Sequence, residues 1–564
     1  MRNLDPITLI LMLPLLGAAG AFGLTFLRAR LRAGLVVALS LLTGAVLSFF
    51  VAARVFREGP LLRVVGGWSP AVGIHLNFDG AAAVLLLTLF VVAFLVLLYA
   101  LGEGSYGALF YGTYAIAVAG MAGVILSADL FNLFVFFEVL SLSATILIAY
   151  KRKLPGLYAA FRYLLVTGLS VVLYLLGVYL IYRESGELAL RALFAPAGAE
   201  PQEPLGAGGG IGIGGPLGVA GVFLFSGVAI RTALVPFHAW LPDAHSQAPH
   251  PVSALLSGLV IKAAFIALWR MVTLFSVTEY FLNLLLITGV LSALLGVVLA
   301  LAQRDPKRLL AFHSISQMGY IAAAAGAGAL SGALYHAVGH ALFKSLLFLV
   351  VGYYIGRTGS RDLYRMGREG GAVAPAPLWA PRILPPLLLI SGAAAIAGLP
   401  PFTGFASKSL IAAAMKGSPF YTVLRIAAVG TAASFIKLCR FLLPITRGSE
   451  EAGRSMRDYL ALSAMAALAL LTLFLGLFPG LILGGMEGLG LRIPAGILSQ
   501  GVYSLSALLE SVTVFLLGGV VYLLLRSSPG RRLSQQVSER RIGVEGALGV
   551  MALGVVLATV PLAF

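Results

Sequence analysis

Nine ionisable residues interrupt oily stretches of this 564-residue chain, and these are the places where it can do chemistry. Glu138 stands between Leu133–Phe137 and Val139–Leu140. Arg231, Lys262, His313, His336, His340, Lys344, Lys408 and Lys437 occupy similar apolar surroundings. A charge at the middle of a bilayer costs at least about 2.5–3.5 kcal/mol, so residues of this kind face a polar cavity and serve ion or proton movement. The bland alternative for each is a snorkelling or helix-packing side chain. It weighs most on Lys437, which lies beside Arg440 near a helix end.

His336, His340 and Lys344 are spaced i, i+4, i+8, which stacks them along one helix face. Imidazoles titrate near neutrality and an ammonium carries an exchangeable proton, so the row suits a proton relay. A metal site is the competing use of the two histidines. It is disfavoured because Lys344 would repel a cation and that helix carries no carboxylate.

Two of the charged stretches are broken. Arg231-Thr-Ala-Leu-Val-Pro236-Phe-His238 places a proline inside the seventh apolar span, and Gly398-Leu-Pro400-Pro401 precedes Gly404 and Lys408 in the twelfth. Proline removes a backbone donor and kinks a helix, leaving carbonyls that ions or water can use. Broken spans in matching positions of two halves point to a transporter's binding site.

The matching is visible in the numbering. Arg231 to Lys408 is 177 residues, Lys262 to Lys437 is 175, and Glu138 to His313 is 175. One offset therefore superposes spans four to eight on spans nine to thirteen. Five is an odd number, so the second unit would sit upside down relative to the first, the inverted-repeat plan of secondary transporters.

The elements that must position these residues follow from composition. Sixty per cent of the residues are hydrophobic and 11% are charged, against about 45–50% and 25% in soluble proteins. Soluble enzymes, nucleic-acid binders and disordered chains are excluded. Apolar stretches long enough to span a bilayer fall near 6–28, 34–56, 79–101, 105–127, 129–150, 155–182, 216–240 and 250–272. They continue near 280–302, 308–330, 332–356, 384–414, 418–446, 459–484, 503–526 and 542–562. The expected fold is an all-α polytopic membrane protein of about 16 transmembrane helices. It divides into an N-terminal three-helix segment (1–104), a first five-helix repeat (105–275), a second inverted repeat (276–446) and C-terminal helices (447–564).

The formal charge of +17 reads as loop orientation rather than nucleic-acid binding. Basic clusters at 28–32, 151–153, 304–308, 357–368, 447–457 and 526–541 all follow odd-numbered spans. Placing them in the cytoplasm puts both termini outside, in a multi-pass protein of the cell membrane. The first span is read as a retained helix, because the Arg28–Arg32 cluster follows it and Asp5 precedes it. Gly210-Ile-Gly212-Ile-Gly214-Gly215 matches a nucleotide-binding spacing by letter, yet no strand precedes it and it reads as a flexible loop. The single cysteine, Cys439, excludes disulfides, a cysteine zinc site and an iron–sulfur cluster held by this chain alone. No cofactor or metal is expected, and any electrons must travel in a partner.

Several motifs in order resemble the antiporter-like subunits of respiratory complex I, Mrp-type cation/proton antiporters and energy-converting hydrogenases. They are Asp129-Leu-Phe-Asn-Leu-Phe-Val-Phe-Phe-Glu138, Pro236-Phe-His-Ala-Trp-Leu-Pro-Asp-Ala-His245, Ala248–Ala254, Lys307–Gly319, His340-Ala-Leu-Phe-Lys344 and Gly398–Phe405. The resemblance covers about residues 105–445, and the segment around Glu138 is most similar to the Mrp D-type branch. It implies two linked half-channels, in which Glu138 pairs with position 231, Lys262 and His336/His340/Lys344 form a central relay, and Lys408 is the outlet. Position 231 departs from the family's lysine. Arginine stays protonated at any physiological pH, so it would hold Glu138 ionised without delivering a proton. The polar loop Ser527–Arg541 is too short to carry the long amphipathic helix of the L- and A-type subunits.

The function expected is proton translocation, alone or in exchange for sodium, by one member of a multi-subunit membrane complex. The alternatives are a membrane-arm component of complex I or of a hydrogenase, driven by a redox partner, a structural subunit that has lost transport, and a membrane metalloenzyme using His238, Asp243, His245 and His250.

Overall fold

The computed structural model describes residues 5–25, 30–67, 73–190, 216–274, 279–366, 384–440, 456–487 and 493–527. Backbone in hydrocarbon must satisfy its hydrogen bonds within the segment, so the chain is helical almost throughout. Six single-helix spans come first: α1 (Pro6–Gly23), α2 (Arg30–Glu58), α3 (Gly80–Glu103), α4 (Ala108–Leu126), α5 (Leu130–Ile148) and α6 (Leu154–Ser185). Span seven is broken into α7 (Pro216–Thr232) and α8 (Leu241–Gln247). Span eight runs through α9 (His250–Leu255), a π-helical turn (Leu256–Val260) and α10 (Ile261–Leu274). Spans nine to eleven are α11 (Glu279–Ala302), α12 (Pro306–Gly326) and α13 (Leu330–Thr358), followed by a short α14 (Leu363–Met366). Span twelve is α15 (Leu384–Ala397) plus α16 (Thr403–Met415), and span thirteen is α17 (Pro419–Cys439). Span fourteen is α18 (Met456–Leu477). The short α19 (Gly480–Glu487) and α20 (Ala495–Gln500) lead to span fifteen, α21 (Leu505–Arg526).

Twelve of the described helices are long and apolar enough to cross a membrane. The expected span 542–562 and the glycine-rich 210–215 stretch lie outside the described residues. One element departs from the all-α expectation. β1 (Leu61–Val65) pairs antiparallel with β2 (Ile74–Phe78), Leu61 opposite Phe78 and Val65 opposite Ile74. Gly66 and Gly67 follow β1 in the left-handed region, at φ 100° and 72°, where side chains beyond glycine are disfavoured. A pattern of helical spans does not reveal this segment, because it is a hairpin between two of them.

Neighbour relations repeat. Span four packs on five, five on six, six on seven, seven on eight and four on eight; nine on ten, ten on eleven, eleven on twelve, twelve on thirteen and nine on thirteen do the same. Spans nine and ten meet through glycines: a Cβ on Gly296 would lie 2.6 Å from the Ser316 nitrogen, so only glycine admits this approach of backbones. α13 is the central helix, packed on span three, on the π turn of span eight and on spans ten, twelve and fourteen. It carries His336, His340 and Lys344, all fully buried.

Candidate functional site

Arg231 ends α7, where its guanidinium is gripped by α5 and α6. Nε donates to Ser170 Oγ at 2.8 Å, and Nη1 donates to Ser141 Oγ at 2.6 Å and to the Phe137 carbonyl at 3.2 Å. Nη2 reaches Glu138 Oε1 at 3.2 Å, and the group lies over the Phe137 ring at 4.5 Å. Arg231 is 7% exposed, whereas the Glu138 side chain is 35% exposed and takes the outer position of the pair. Immediately beyond, α7 stops. Ala233 adopts φ 55°, a left-handed conformation unusual for a side chain with a Cβ. The loosened backbone is re-satisfied locally: Trp240 Nε1 donates to the Ile230 carbonyl at 2.8 Å, and the Val235 N–H donates to Ser292 Oγ at 2.8 Å.

The centre of the molecule is a row of buried titratable groups. Lys262 follows the π turn and its ammonium donates to the Ser257 carbonyl, a group that the π geometry leaves available. Lys344 donates to the Leu310 carbonyl and lies over the Phe348 ring. Ser257 and Ser314 join their hydroxyls at 2.7 Å between them. His340 is within electrostatic reach of Lys262, Lys344, His336 and His245, and its ring nitrogens have no protein hydrogen-bond partner among the described residues. Buried polar atoms of this kind are sites for bridging water. The His336 ring centroid is 6.3 Å from that of His340. Its Nδ1 meets Ser407 Oγ at 2.8 Å and its Nε2 meets Gln317 Oε1 at 3.0 Å, which fixes the plane of the imidazole.

From His336 the row continues to Tyr320, 6.0 Å between ring centroids, and on to Lys408, whose Nζ is 5.4 Å from the Tyr320 centroid. Lys408 sits just past the second break and donates to the Ile396 carbonyl at 2.8 Å, one of the acceptors that the break releases. Glycines make this geometry possible. Gly398 has φ 83° and a Cβ there would lie 2.9 Å from Lys408 Cδ, while a Cβ on Gly404 would overlap the Ala395 carbonyl oxygen. Lys408 lines a cavity of about 310 Å³, open to its surroundings. Neither Lys262, Lys344 nor Lys408 has a carboxylate within ion-pairing distance among the described residues.

This geometry has relatives. Residues 127–436, more than half of the chain, match the family described as NADH:quinone oxidoreductase/Mrp antiporter, TM. The chain belongs to that family. NADH-quinone oxidoreductase subunit N from Desulforudis audaxviator (strain MP104C) is 33% identical, the alignment covering 76% of this chain and 85% of the relative. The D-type component of a Na(+)/H(+) antiporter from Alkalihalophilus pseudofirmus (strain ATCC BAA-2126 / JCM 17055 / OF4) is 31% identical, over 70% of this chain and 78% of the relative. Among solved structures, the Mrp complex from Dietzia sp. DQ12-45-1b contains a chain that superposes with a TM-score of 0.73 at 25% identity, covering 89% of this chain and all of that one.

In this NADH:quinone oxidoreductase/Mrp antiporter family member, the two remaining expected residues, Lys437 and His313, make contacts of other kinds. Lys437 donates to the Leu301 and Gln303 carbonyls at 2.8 and 2.6 Å, capping the carboxyl end of α11. His313 packs its ring 4.8 Å from that of Phe435, within electrostatic reach of Lys344, Lys408 and Lys437. Of the residues of the metalloenzyme alternative, Asp243 is the one held in ion pairs. Asp243 accepts from Arg162 at 2.6 Å and from Arg308 at 3.0 Å, so α8 is held between spans six and ten. His250 packs against Gly352, and no three His, Cys, Asp or Glu side chains among the described residues gather closely enough to hold an ion.

Sequence reasoning passes over several contributors. Lys307 reads as part of a loop cluster, yet it is buried and donates to the Ala248 carbonyl at 2.6 Å, within electrostatic reach of Glu103 and Asp305. Tyr320, Gln317 and Ser407 carry no formal charge and so give no signal as intramembrane ions. The motif Lys307–Gly319 does contain Lys307 and Gln317, and is the one clue available.

Proposed function

We propose that this chain is the proton-translocating, antiporter-like subunit of a multi-subunit membrane complex, moving protons alone or in exchange for sodium. The observation that carries the reading is the row Lys262–Lys344–His340–His336–Tyr320–Lys408, buried as far as Tyr320 and half-buried at Lys408, without carboxylate ion-pair partners among the described residues. Two charges 8 Å apart at an effective dielectric near 20 couple by about 2 kcal/mol, which changes a neighbour's proton affinity roughly thirty-fold. Protonation of one member therefore drives deprotonation of the next. Arg231 is a fixed cation that orients Glu138, leaving Lys262 as the first member that releases a proton. Lys437 caps α11 and stands outside the path. The positive loops after the odd spans orient the chain with both termini outside, so that α16, carrying Lys408, runs toward the outer face.

The test is proton flux through the purified complex reconstituted in vesicles. Lys408→Ala, Lys262→Ala and Glu138→Gln are expected to assemble with partner subunits and lose transport. Wild-type flux in the Lys262→Ala or Lys408→Ala complex would refute the relay. The similarity to NADH-quinone oxidoreductase subunit N favours a second reading, in which a redox partner drives the same path. The identity of the co-purifying subunits separates the two: a quinone or hydrogenase module supports the redox-driven form, and antiporter proteins alone support the first.

A further inference from the structure

Span fifteen follows the stretch that carries the expected relay, and the structure shows what it touches. α21 packs along α17. Ser511 Oγ donates to the Gly398 carbonyl at 2.8 Å, and Tyr503 Oη lies 3.4 Å from the Pro401 carbonyl. Both acceptors belong to the break in span twelve, so span fifteen and the turn before it complete the backbone that presents Lys408. Immediately before Ser511, α21 supplies an acid. Glu510 Oε1 accepts from Tyr421 Oη at 2.6 Å and pairs with Arg425 Nε at 2.9 Å. Glu510, Tyr421 and Arg425 line the same cavity as Lys408. No other carboxylate lines it among the described residues, and the remaining charged or titratable groups on it are Tyr320 and Lys416. Arg425 is half exposed and Glu510 about a third, so the cluster is at the mouth, while Lys408 borders the cavity half-buried, its ammonium bonded to the Ile396 carbonyl.

We propose that Glu510 is the terminal proton acceptor of the outlet, receiving the proton of Lys408 through the cavity and passing it to the outer solution. The inference rests on the proton-translocating reading above. In the step, the Lys408 ammonium gives up one proton and becomes a neutral amine, and the Glu510 carboxylate takes it up and becomes a carboxylic acid. Protonation dissolves the ion pair with Arg425 while Tyr421 keeps its hydrogen bond to the acid. Loss of the proton to the outer solution restores the pair.

The experiment uses the whole complex in vesicles, with Glu510→Gln, Glu510→Asp and Lys408→Ala compared with wild type. Glu510→Gln keeps shape and removes the acid, so flux is expected to fall at least ten-fold with assembly intact. Glu510→Asp shortens the side chain out of its bonds with Tyr421 and Arg425 but restores a protonatable group, and is expected to recover most of the flux. Full flux in Glu510→Gln beside a dead Lys408→Ala overturns the role of Glu510 and leaves the relay standing. Full flux in both overturns the relay as well. A Glu510→Asp complex as slow as Glu510→Gln, or failure of the glutamine variant to assemble, marks Glu510 as a structural clamp and overturns the proposal.

Discussion

Replacing Arg231 by lysine restores the residue expected at that position from the family resemblance and separates charge from geometry. The guanidinium donates four hydrogen bonds to spans five and six and lies over Phe137. A lysine ammonium is a compact point charge, so it retains the contact with Glu138 and one serine and gives up about two bonds. The abandoned acceptors are not left orphaned: Ser170 Oγ also donates to the Gly227 carbonyl at 2.7 Å and Ser141 Oγ to the Phe137 carbonyl at 2.7 Å. Each lost bond then costs about 0.5–1.5 kcal/mol rather than a full desolvation penalty. Loss of the guanidinium over the ring adds about 0.5–1 kcal/mol. Arg231→Lys should therefore be less stable by roughly 1.5–4 kcal/mol, read as a lower melting temperature of the purified complex, and should keep proton flux in vesicles. Arg231→Met removes the charge, leaves Glu138 without its partner and should abolish flux. The reasoning fails if Arg231→Lys is assembled, as stable as wild type and inactive, because the geometry of the guanidinium would then be the transporting feature.

Three further outcomes follow from the same geometry. Gly404→Ala drives a methyl into the Ala395 backbone and should cost at least about 2–3 kcal/mol, seen as reduced yield and melting temperature, whereas alanine at the open Gly496 should be tolerated. Lys437→Met removes the cap on α11 and should lower the melting temperature by the equivalent of about 1–2 kcal/mol with flux retained; a flux-dead, stable variant would return Lys437 to the path. Gln317→Leu leaves His336 Nε2 unsatisfied and its ring free to turn, so the complex should assemble and transport several-fold more slowly, an effect absent if His336 takes no part.

What could be read from the sequence depended on cost. A charge in hydrocarbon is expensive enough to stand out without any structure, which is why Glu138, Lys262, Lys344 and Lys408 were legible one residue at a time. The prolines at 236, 400 and 401 marked the breaks for the same reason, since no neighbour can restore a missing N–H. Pairings were less accessible. Arg231 and Glu138 are 93 residues apart and Lys408 meets Tyr320 from another helix, so only the packing of spans shows who faces whom. Lys437 illustrates the limit: its type and depth match Lys262, and its role as a cap is set by the end of α11, more than a hundred residues earlier. The π turn before Lys262 has no sequence signature at all, because it arises from a single extra residue absorbed in an otherwise regular helix.

The row of buried lysines and histidines also acts as a filter by charge sign. Every member is either neutral or positive, and among the described residues no carboxylate ion-pairs with Lys262, Lys344 or Lys408. A sodium ion drawn toward Lys262 or Lys344 would meet unit positive charges in a medium where each one repels it by a few kcal/mol at close range. A proton escapes that toll because it travels as a change of bonding on groups already present. If the complex proposed above exchanges sodium, the stretch Lys262–Lys344–His340–His336 offers that ion no carboxylate ion-paired to its lysines among the described residues.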